Sequence, residues 1–337
     1  MTSVPEQDDH RRALSVRVLL VALAAQLVLF GGLLFFVLNG FPGLGPSKAA
    51  DAGPRTATPA VTAAPAVPVV PTARINRFDA ERALALVKRQ VAAGQRPAGS
   101  AALRRTAARL RPLLPRGRFE SIPGHPGLRN VVGSIPGRKP ALLIGAHYDT
   151  EAQPPGFVGA NDSAAGTAVL VEVARTLRRI DRPARAREVR FVLFDGEEEP
   201  PGGDEGDFYA TALRGSKAYA KAHADELKAM ILLDYVGNKG LRLPREATSD
   251  RALWRRMRAA ARAVGVARVF PAATGEALLD DHTPFLRAGV PAIDLIDFSY
   301  RHRDTVDDTV DKLDVASLDA VGETVVELVR RLDRARF

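Results

Sequence analysis

Apolar and polar positions divide the chain into an uncharged N-terminal run, a proline-rich stretch and a long region of alternating strand and helix patterns. In that long region, helices are predicted at "FDAERALALVKRQVAAG", "SAALRRTAARLRPLLP" and "SAAGTAVLVEVARTLRRI", and a last helix carries the apolar stripe Leu318, Val321, Val325, Leu328 and Leu332. Short, almost continuous apolar runs predict strands at "RNVVGSI", "ALLIGAH", "VRFVLFD", "MILLDYVG" and "AIDLIDF".

This alternation predicts an α/β fold. Near-continuous apolar strands that alternate with helices are typical of a mostly parallel, mixed β-sheet that helices cover on both faces. The simplest partition places this sheet in one domain over residues 76–337, which is expected to carry the chemistry.

The uncharged run over residues 18–38 is long enough to cross a bilayer as one helix, which needs roughly 20 residues. Three arginines precede it, whereas no basic residue follows until Lys48. The positive-inside rule therefore predicts a cytoplasmic tail over residues 1–17 and an extracytoplasmic domain, in a periplasm or on an outer face. A cleaved signal peptide is the alternative. Residues 39–75, rich in proline and alanine, are predicted to be an extended linker.

The composition limits which partners and which metal ligands the chain can have. Lys and Arg exceed Asp and Glu by 48 to 39, a formal net charge of +9. The arginines are scattered over helix faces with few aromatic residues between them, which indicates a solvated basic surface and no nucleic-acid partner. Because the chain contains no cysteine, any metal must be held by His, Asp or Glu.

Polar residues that can hold a metal follow several predicted strands, at the edge where α/β sheets bind ligands. They are His147 and Asp149, Glu197 and Glu198, Asp234, and His302 and Asp304, with Asp162 in the small-residue turn "GANDSAAG". Each alone fits a helix cap, a solvated loop or a hydrogen-bonded core position. Together they favour a catalytic metal site for Zn²⁺, with Mn²⁺ or Co²⁺ as substitutes.

The motifs "GAHYDT", "GANDSAAG", "FDGEEE", "LLDYVG" and "LDDHTPFLRAGVP", in this order, resemble the zinc-dependent aminopeptidase family that also contains the animal-type glutaminyl cyclases. The resemblance implies two zinc ions at the carboxyl edge of the sheet, bridged by Asp162. His147 and Asp234 would complete one site, and Glu198 and a late histidine the other.

The resemblance also implies roles for residues around the metals. Glu197 would be the general base or acid, and Asp149 would orient the imidazole of His147. Asp281 and His282 would line the substrate pocket, with His282 placed to hydrogen-bond a carbonyl or a developing oxyanion.

The last motif departs from the family pattern. Alignment on "DDTVDKLD" puts Asp304 where the family has its metal-binding histidine, and His302 lies two residues upstream. Asp304, as an oxygen ligand, is slightly favoured. The alternative is a local shift that brings His302 to the metal.

The preferred functional hypothesis is hydrolysis of a peptide or small amide, most simply by an aminopeptidase, with Glu197 as the general base and two zinc ions. One alternative is glutaminyl-peptide cyclisation at the same site with one zinc ion. A catalytically inactive binding ectodomain is the other. The sequence leaves the oligomeric state open.

Overall fold

The computed structural model describes residues 67–200, 202 and 207–334. The predicted tail, membrane helix and most of the predicted linker lie outside these residues. Within the described part of the chain, no helix is both long and apolar enough to cross a bilayer. The membrane anchor at residues 18–38 therefore stays a prediction.

The described part of the chain contains eight α-helices and six strands. The helices are α1 Ala80–Val91, α2 Ala101–Leu110, α3 Gly166–Arg179, α4 Phe208–Thr211, α5 Arg214–His223, α6 Arg251–Val264, α7 Thr283–Arg287 and α8 Val315–Arg334. The strands are β1 Arg118–Ser121, β2 Arg129–Ile135, β3 Arg138–His147, β4 Arg187–Phe194, β5 Leu227–Leu233 and β6 Ala292–Leu295. Short 3₁₀ turns occupy Arg111–Leu113, Ala224–Glu226 and Val310–Lys312.

The six described strands form one sheet in the order β1-β2-β4-β3-β5-β6. Strands β4, β3, β5 and β6 run parallel, whereas β2 pairs antiparallel with both β4 and β1. The predicted mostly parallel mixed sheet is therefore confirmed. Strand β1 was not predicted, because its residues are only partly buried or exposed and form no apolar run.

Side chains alternate along the strands between two apolar layers. In β4, Phe191 and Leu193 pack into the larger core, to which α1, α3, α6 and α8 contribute. Val192 and Phe194 point to the opposite face, where they meet Tyr219 of α5 and, on α7, the ring of Phe285. Helices thus cover both faces, as expected for a buried parallel sheet.

Polar caps set where several helices begin. The carboxylate of Asp79 accepts the N–H of Arg82 at the start of α1, and the hydroxyl of Ser100 accepts the N–H of Leu103 at the start of α2. Helix α3 begins later than predicted, at Gly166, because a turn with non-helical backbone at Asp162 precedes it. A Cβ at Gly166 would lie 2.2 Å from the Leu233 carbonyl oxygen, so glycine lets this helix approach the end of β5.

Contacts with the domain begin upstream of residue 76. The side chain of Val70 is buried. The N–H of Arg74 donates to the Val264 carbonyl, and the N–H of Ala73 donates to the Asp319 carboxylate. The described end of the predicted linker therefore packs on α6 and α8.

Candidate metal centre and active site

Three neighbouring strands deliver the polar side chains to one edge of the sheet. His147 is the last residue of β3 and pairs with Phe194 of β4, so the turn with Glu197 and Glu198 leaves the sheet beside it. Asp234 directly follows β5 on the other side of β3. All of these polar side chains are buried.

His147, Asp162 and Asp234, called here the histidine site, form a compact group. The Nε2 atom of His147 lies 3.0 Å from Oδ1 of Asp162 and 3.4 Å from Oδ1 of Asp234. Burial alone would lower the pKa of His147, but Asp149, Asp162 and Asp234 together raise it well above its usual value. Burial also raises the pKa of Asp234 to about 7, despite the opposing effect of His147. One divalent cation among these three side chains would neutralise their charges.

Asp149 holds the two glutamates through the backbone. The N–H groups of Glu197 and Glu198 donate to Oδ1 and Oδ2 of Asp149, both at 3.3 Å. The expected contact with the imidazole is longer, since Nδ1 of His147 lies 3.7 Å from Oδ1 of Asp149 and has no hydrogen-bond partner. In this structure, Asp149 therefore fixes the glutamate turn more closely than it fixes the ring.

Arg214 supports the same turn from the other side. Its guanidinium donates to the carbonyl oxygens of Gly196 and Glu198. Gly196 has a φ of +75°, and a Cβ there would lie 2.7 Å from the Arg214 side chain. Glycine at this position thus permits both the left-handed turn and the close arginine.

The turn that carries Asp162 is held by two residues that the sequence did not single out. The Asp308 carboxylate accepts the N–H groups of Asn161 and Asp162 at 3.0 Å. Arg96, fully buried, donates to the carbonyl oxygens of Val158 and Gly159. Asp308 lies in the motif "DDTVDKLD" and Arg96 in the stretch "GQRPAGS", but neither local sequence shows that the side chain supports a metal ligand.

The two candidates for the last ligand occupy different places. Asp304 lines the same cleft as Asp162 and Glu198, and its side chain is 50% exposed. His302 lines a separate depression and accepts a hydrogen bond from Arg301 at 3.1 Å. Of the two, the structure brings Asp304 to the site. Asp162, Glu198 and Asp304, which share the lining of this cleft, are called here the carboxylate site. The potential metal ligands within 4.8 Å of one another that include Glu198 are His147, Glu197 and Glu198.

Asp281 and His282 do not line the cleft as expected. Both are fully buried, and Asp280 faces the cleft in their place. Nε2 of His282 lies 2.9 Å from the Thr248 hydroxyl and 3.3 Å from the Glu246 carboxylate, because the residue turns inward at the start of α7. Although burial raises the pKa of Glu246, hydrogen bonds led by the one with His282 hold that pKa at about 2.

The cleft has a volume of about 370 Å³ and combines an acidic floor with an apolar wall. Its apolar lining residues are Phe208, Leu278, Leu279, Ile296 and Phe298. Glu151 lies at its edge, where burial and then the nearby Asp304 raise the pKa of its carboxyl to about 7. A ligand with a cationic end and an apolar side chain would match these surroundings.

The unpaired atoms at the centre fit divalent cations. Oε1 of Glu198 is buried and has no hydrogen-bond partner, and the one close polar contact of Oδ1 of Asp162 among the described residues is the imidazole of His147 at 3.0 Å. Burial and neighbouring carboxylates raise the pKa of Glu198 well above its usual value. Imidazole and carboxylate donors without thiols suit Zn²⁺ in a catalytic role. Bound cations would satisfy these oxygens and offset the repulsion between them.

Buried imidazole and carboxylate groups at the carboxyl edge of an α/β sheet are typical of a metal-dependent α/β enzyme. The comparison with family models makes this assignment specific, because the model of Peptidase family M28 matches residues 130–329. The chain belongs to that family, and the resemblance predicted from the sequence motifs is confirmed.

Similar proteins include both cyclases and exopeptidases. A glutaminyl cyclase of Porphyromonas gingivalis superposes with a TM-score of 0.67 at 30% identity, over 77% of this chain and 100% of that one. A Zn-dependent exopeptidase of Parabacteroides distasonis superposes with a TM-score of 0.65 at 25% identity, over 79% of this chain and 99% of that one. The glutaminyl-peptide cyclotransferase of Bos taurus is 26% identical over 58% of this chain. The match spans 64% of that relative's length.

Proposed function

We propose that this protein is a metal-dependent aminopeptidase. The observation that carries the proposal is the histidine site, in which one ligand atom each of His147, Asp162 and Asp234 lies within 4.8 Å of the others. Asp162 and Asp234 also line the acidic cleft. Glu197 lines the same cleft, and its Oε2 lies 3.7 Å from Nδ1 of His147, on the side of the imidazole away from Asp162 and Asp234. This arrangement supplies a cation site and a separate proton carrier side by side.

The cleft offers a binding mode for the amino-terminal residue of a peptide. Glu151 and Asp280 line it without belonging to the histidine or the carboxylate site, and their charge suits a protonated α-amine. The apolar wall, which includes Leu278 and Phe298, would receive the first side chain. An acidic lining of this kind favours a free, protonated amino terminus over an internal peptide segment, which carries no cationic group at the scissile bond.

In the proposed hydrolysis, the cations and the Glu197 carboxylate have separate roles. Bound divalent cations would lower the pKa of water in the site and polarise the scissile carbonyl. Glu197 would accept the proton of the attacking water and return it to the departing amine. Burial and Asp280 raise its pKa well above the usual value, although His147 opposes them, so Glu197 holds a proton more readily than an exposed glutamate. Asp149 would keep the glutamate in place through the backbone N–H.

Glutaminyl cyclisation is the second candidate, and the similarity to several glutaminyl cyclases supports it. In that reaction, the α-amine nitrogen bonds to the side-chain amide carbon of an amino-terminal Gln, and ammonia leaves. Glu197 would carry the proton from the amine to the departing ammonia. The same cleft would hold the substrate, with the apolar wall around the glutamine methylene groups.

Mass spectrometry of two peptides separates the candidates. The zinc-loaded full chain is incubated with a peptide that begins with Leu and with one that begins with Gln. Removal of the first residue supports the aminopeptidase, whereas loss of ammonia from the Gln peptide with an otherwise intact chain supports the cyclase. No product from either peptide would contradict both proposals.

Two controls make the assay specific. An amino-terminally acetylated Leu peptide lacks the cationic end and should not be cleaved by an aminopeptidase. The Glu197→Gln variant should keep its metal and lose turnover. Cleavage of the acetylated peptide at the same rate would refute the proposed role of the acidic cleft in amine recognition.

A further inference from the structure

A second group of side chains that can hold a metal lies outside the histidine site. Asp280, His282 and Asp294, called here the inner group, each place one potential ligand atom within 4.8 Å of the others. All three residues are buried, and His282 and Asp294 have no exposed surface. One imidazole and two carboxylates are also the donors of the histidine site, so the inner group repeats its ligand chemistry.

The carboxylate of Asp294 enters an apolar layer of the protein. Asp294 is the third residue of β6 and pairs with Leu232 of β5, which belongs to the smaller core. Its neighbours Ile293 and Leu295 both enter the larger core, so the side chain of Asp294 points to the opposite face. Neither of its carboxylate oxygens has a hydrogen-bond partner among the described residues. Such a group needs a cation or a bound proton beside it.

The hydrogen bonds of His282 assign the proton on its ring. The Thr248 hydroxyl has a single hydrogen, which it donates to the Glu246 carboxylate at 2.9 Å. Toward Nε2 of His282, also at 2.9 Å, this hydroxyl must therefore accept. An oxygen of Glu246 lies 3.3 Å from the same nitrogen. In the neutral ring, Nε2 thus carries the hydrogen and Nδ1 presents its lone pair.

That lone pair faces carboxylates at the spacing of metal ligands. Nδ1 of His282 is buried, has no hydrogen-bond partner in the described part of the chain, and lies 3.8 Å from Oδ2 of Asp294, beyond hydrogen-bond reach. Oδ2 of Asp280 is likewise buried and unpartnered. Zinc bonds of about 2.0–2.2 Å place two ligand atoms about 3–4 Å apart. One ion among the three side chains would therefore join atoms that otherwise repel.

We propose that the inner group binds a Zn²⁺ ion of its own, apart from the histidine site, and that this ion links the start of α7 to β6. The imidazole donor favours Zn²⁺ over Mg²⁺ or Ca²⁺. Glu246 would orient the ring of His282 from the far side, as carboxylates commonly do for metal-binding histidines. Asp280 also lines the cleft, whereas His282 and Asp294 do not, so the test variants are made at these two.

The test counts zinc ions in the full chain. Each protein is loaded with excess Zn²⁺, dialysed against zinc-free buffer and assayed for zinc per chain by mass spectrometry of the metals. The test variants are His282→Gln and Asp294→Asn. The matched controls are His223→Gln, whose partly buried imidazole is hydrogen-bonded, and Asp297→Asn, whose buried carboxylate is hydrogen-bonded.

Both test variants should bind one zinc ion fewer per chain than the parent, and both controls should equal the parent. The same difference of one ion should persist when His147→Ala removes the imidazole of the histidine site. The rise in Tm on addition of Zn²⁺ should also be smaller in Asp294→Asn than in the parent, because that variant binds one ion fewer in the folded state.

The parent chain allows a measurement without a variant. It contains six histidines, few enough for nitrogen NMR of the ¹⁵N-histidine-labelled chain to separate the rings. The Nδ1 signal of His282 should shift as Zn²⁺ is added, because its lone pair becomes a metal bond. The ring nitrogens of His223 should not shift. This measurement decides if a test variant does not fold.

Three results would overturn the proposal: zinc counts of both test variants equal to that of the parent, loss of one ion from a control as well, or an Nδ1 signal of His282 that does not respond to Zn²⁺. Equal counts would mean that shared protons hold the carboxylates of the inner group. Zinc counts do not depend on turnover. Inactivity on both peptides with the expected counts would therefore refute the proposed function and leave this proposal standing.

Discussion

Replacement of Asp149 tests whether the glutamate turn is positioned through its backbone. In the structure, the two carboxylate oxygens accept separate N–H groups, Oδ1 from Glu197 and Oδ2 from Glu198. Asparagine has nearly the same shape but offers one acceptor oxygen and one NH₂ group. In Asp149→Asn, one of the two backbone N–H groups must therefore face another donor.

The expected loss in free energy of unfolding follows from the number of backbone N–H groups that lose their acceptor. A buried N–H that loses its acceptor costs about 1–3 kcal/mol, and both bonds are at 3.3 Å, longer than usual, which favours the lower half of that range for Asp149→Asn. Asp149→Ala removes both acceptors and should cost about twice as much. Displacement of the glutamates should also weaken Zn²⁺ binding by roughly 10–100-fold.

Urea unfolding of the zinc-loaded proteins measures the loss in free energy of unfolding. Titration with a zinc-competing chelator measures the loss in Zn²⁺ affinity. Zinc-loaded protein is needed because removal of one buried negative charge would relieve repulsion in the metal-free protein. Asp181→Asn, at an exposed loop position, is the matched control. Free energies of unfolding for both Asp149 variants within about 0.5 kcal/mol of the parent, with unchanged zinc affinity, would refute the reasoning.

Three further predictions follow from the site. Glu197→Gln should lower kcat by roughly 10²–10⁴-fold with unchanged zinc content, measured by peptide turnover and metal analysis, and a normal kcat would exclude this residue as the proton carrier. Asp308→Ala should leave two buried N–H groups unpaired and lower the free energy of unfolding by about 2–6 kcal/mol in urea titrations, whereas exposed Asp307→Ala should not. Burial raises the pKa of Asp195 and of Asp234 to about 7 in the folded metal-free chain, so the stability that each contributes is complete below about pH 4 and is lost as the pH rises through 7. Thermal unfolding with chelator should therefore give a higher Tm at pH 5 than at pH 7.5, and the opposite trend would contradict these pKa values.

The parallel core of the fold could be predicted because its strands are apolar on both faces. The run from Phe191 to Phe194 has no polar interruption, and its side chains enter two separate cores. Strand β1 and the delayed start of α3 could not be predicted, since they depend on tertiary contacts. The delayed start of α3 follows from the non-helical backbone at Asp162, which Asp308 holds from a distant part of the chain and which no local pattern encodes.

Ligand candidates could be predicted from the sequence because they follow strands that end at one edge. The residues that position these ligands through hydrogen bonds could not be predicted from the sequence. Asp308 lies far along the chain from the Asp162 turn, and its carboxylate would normally be assigned to a solvated loop. The sequence also could not predict the direction of each side chain. Asp280 faces the cleft, while its neighbours Asp281 and His282 point into the protein.

The repulsion between adjacent glutamates in "FDGEEE" is best understood as a link between folding and metal binding. Glu197 and Glu198 are buried beside Asp149, and burial together with neighbouring carboxylates raises the pKa of both glutamates well above the usual value. The metal-free fold must therefore hold protons at neutral pH or bear the repulsion between unneutralised charges. Cations that bind the folded site would displace those protons and convert repulsion into attraction. A chain with this arrangement gains stability from the same ions that its proposed chemistry requires, so the acidic cluster couples the stability of the domain to the assembly of its active site.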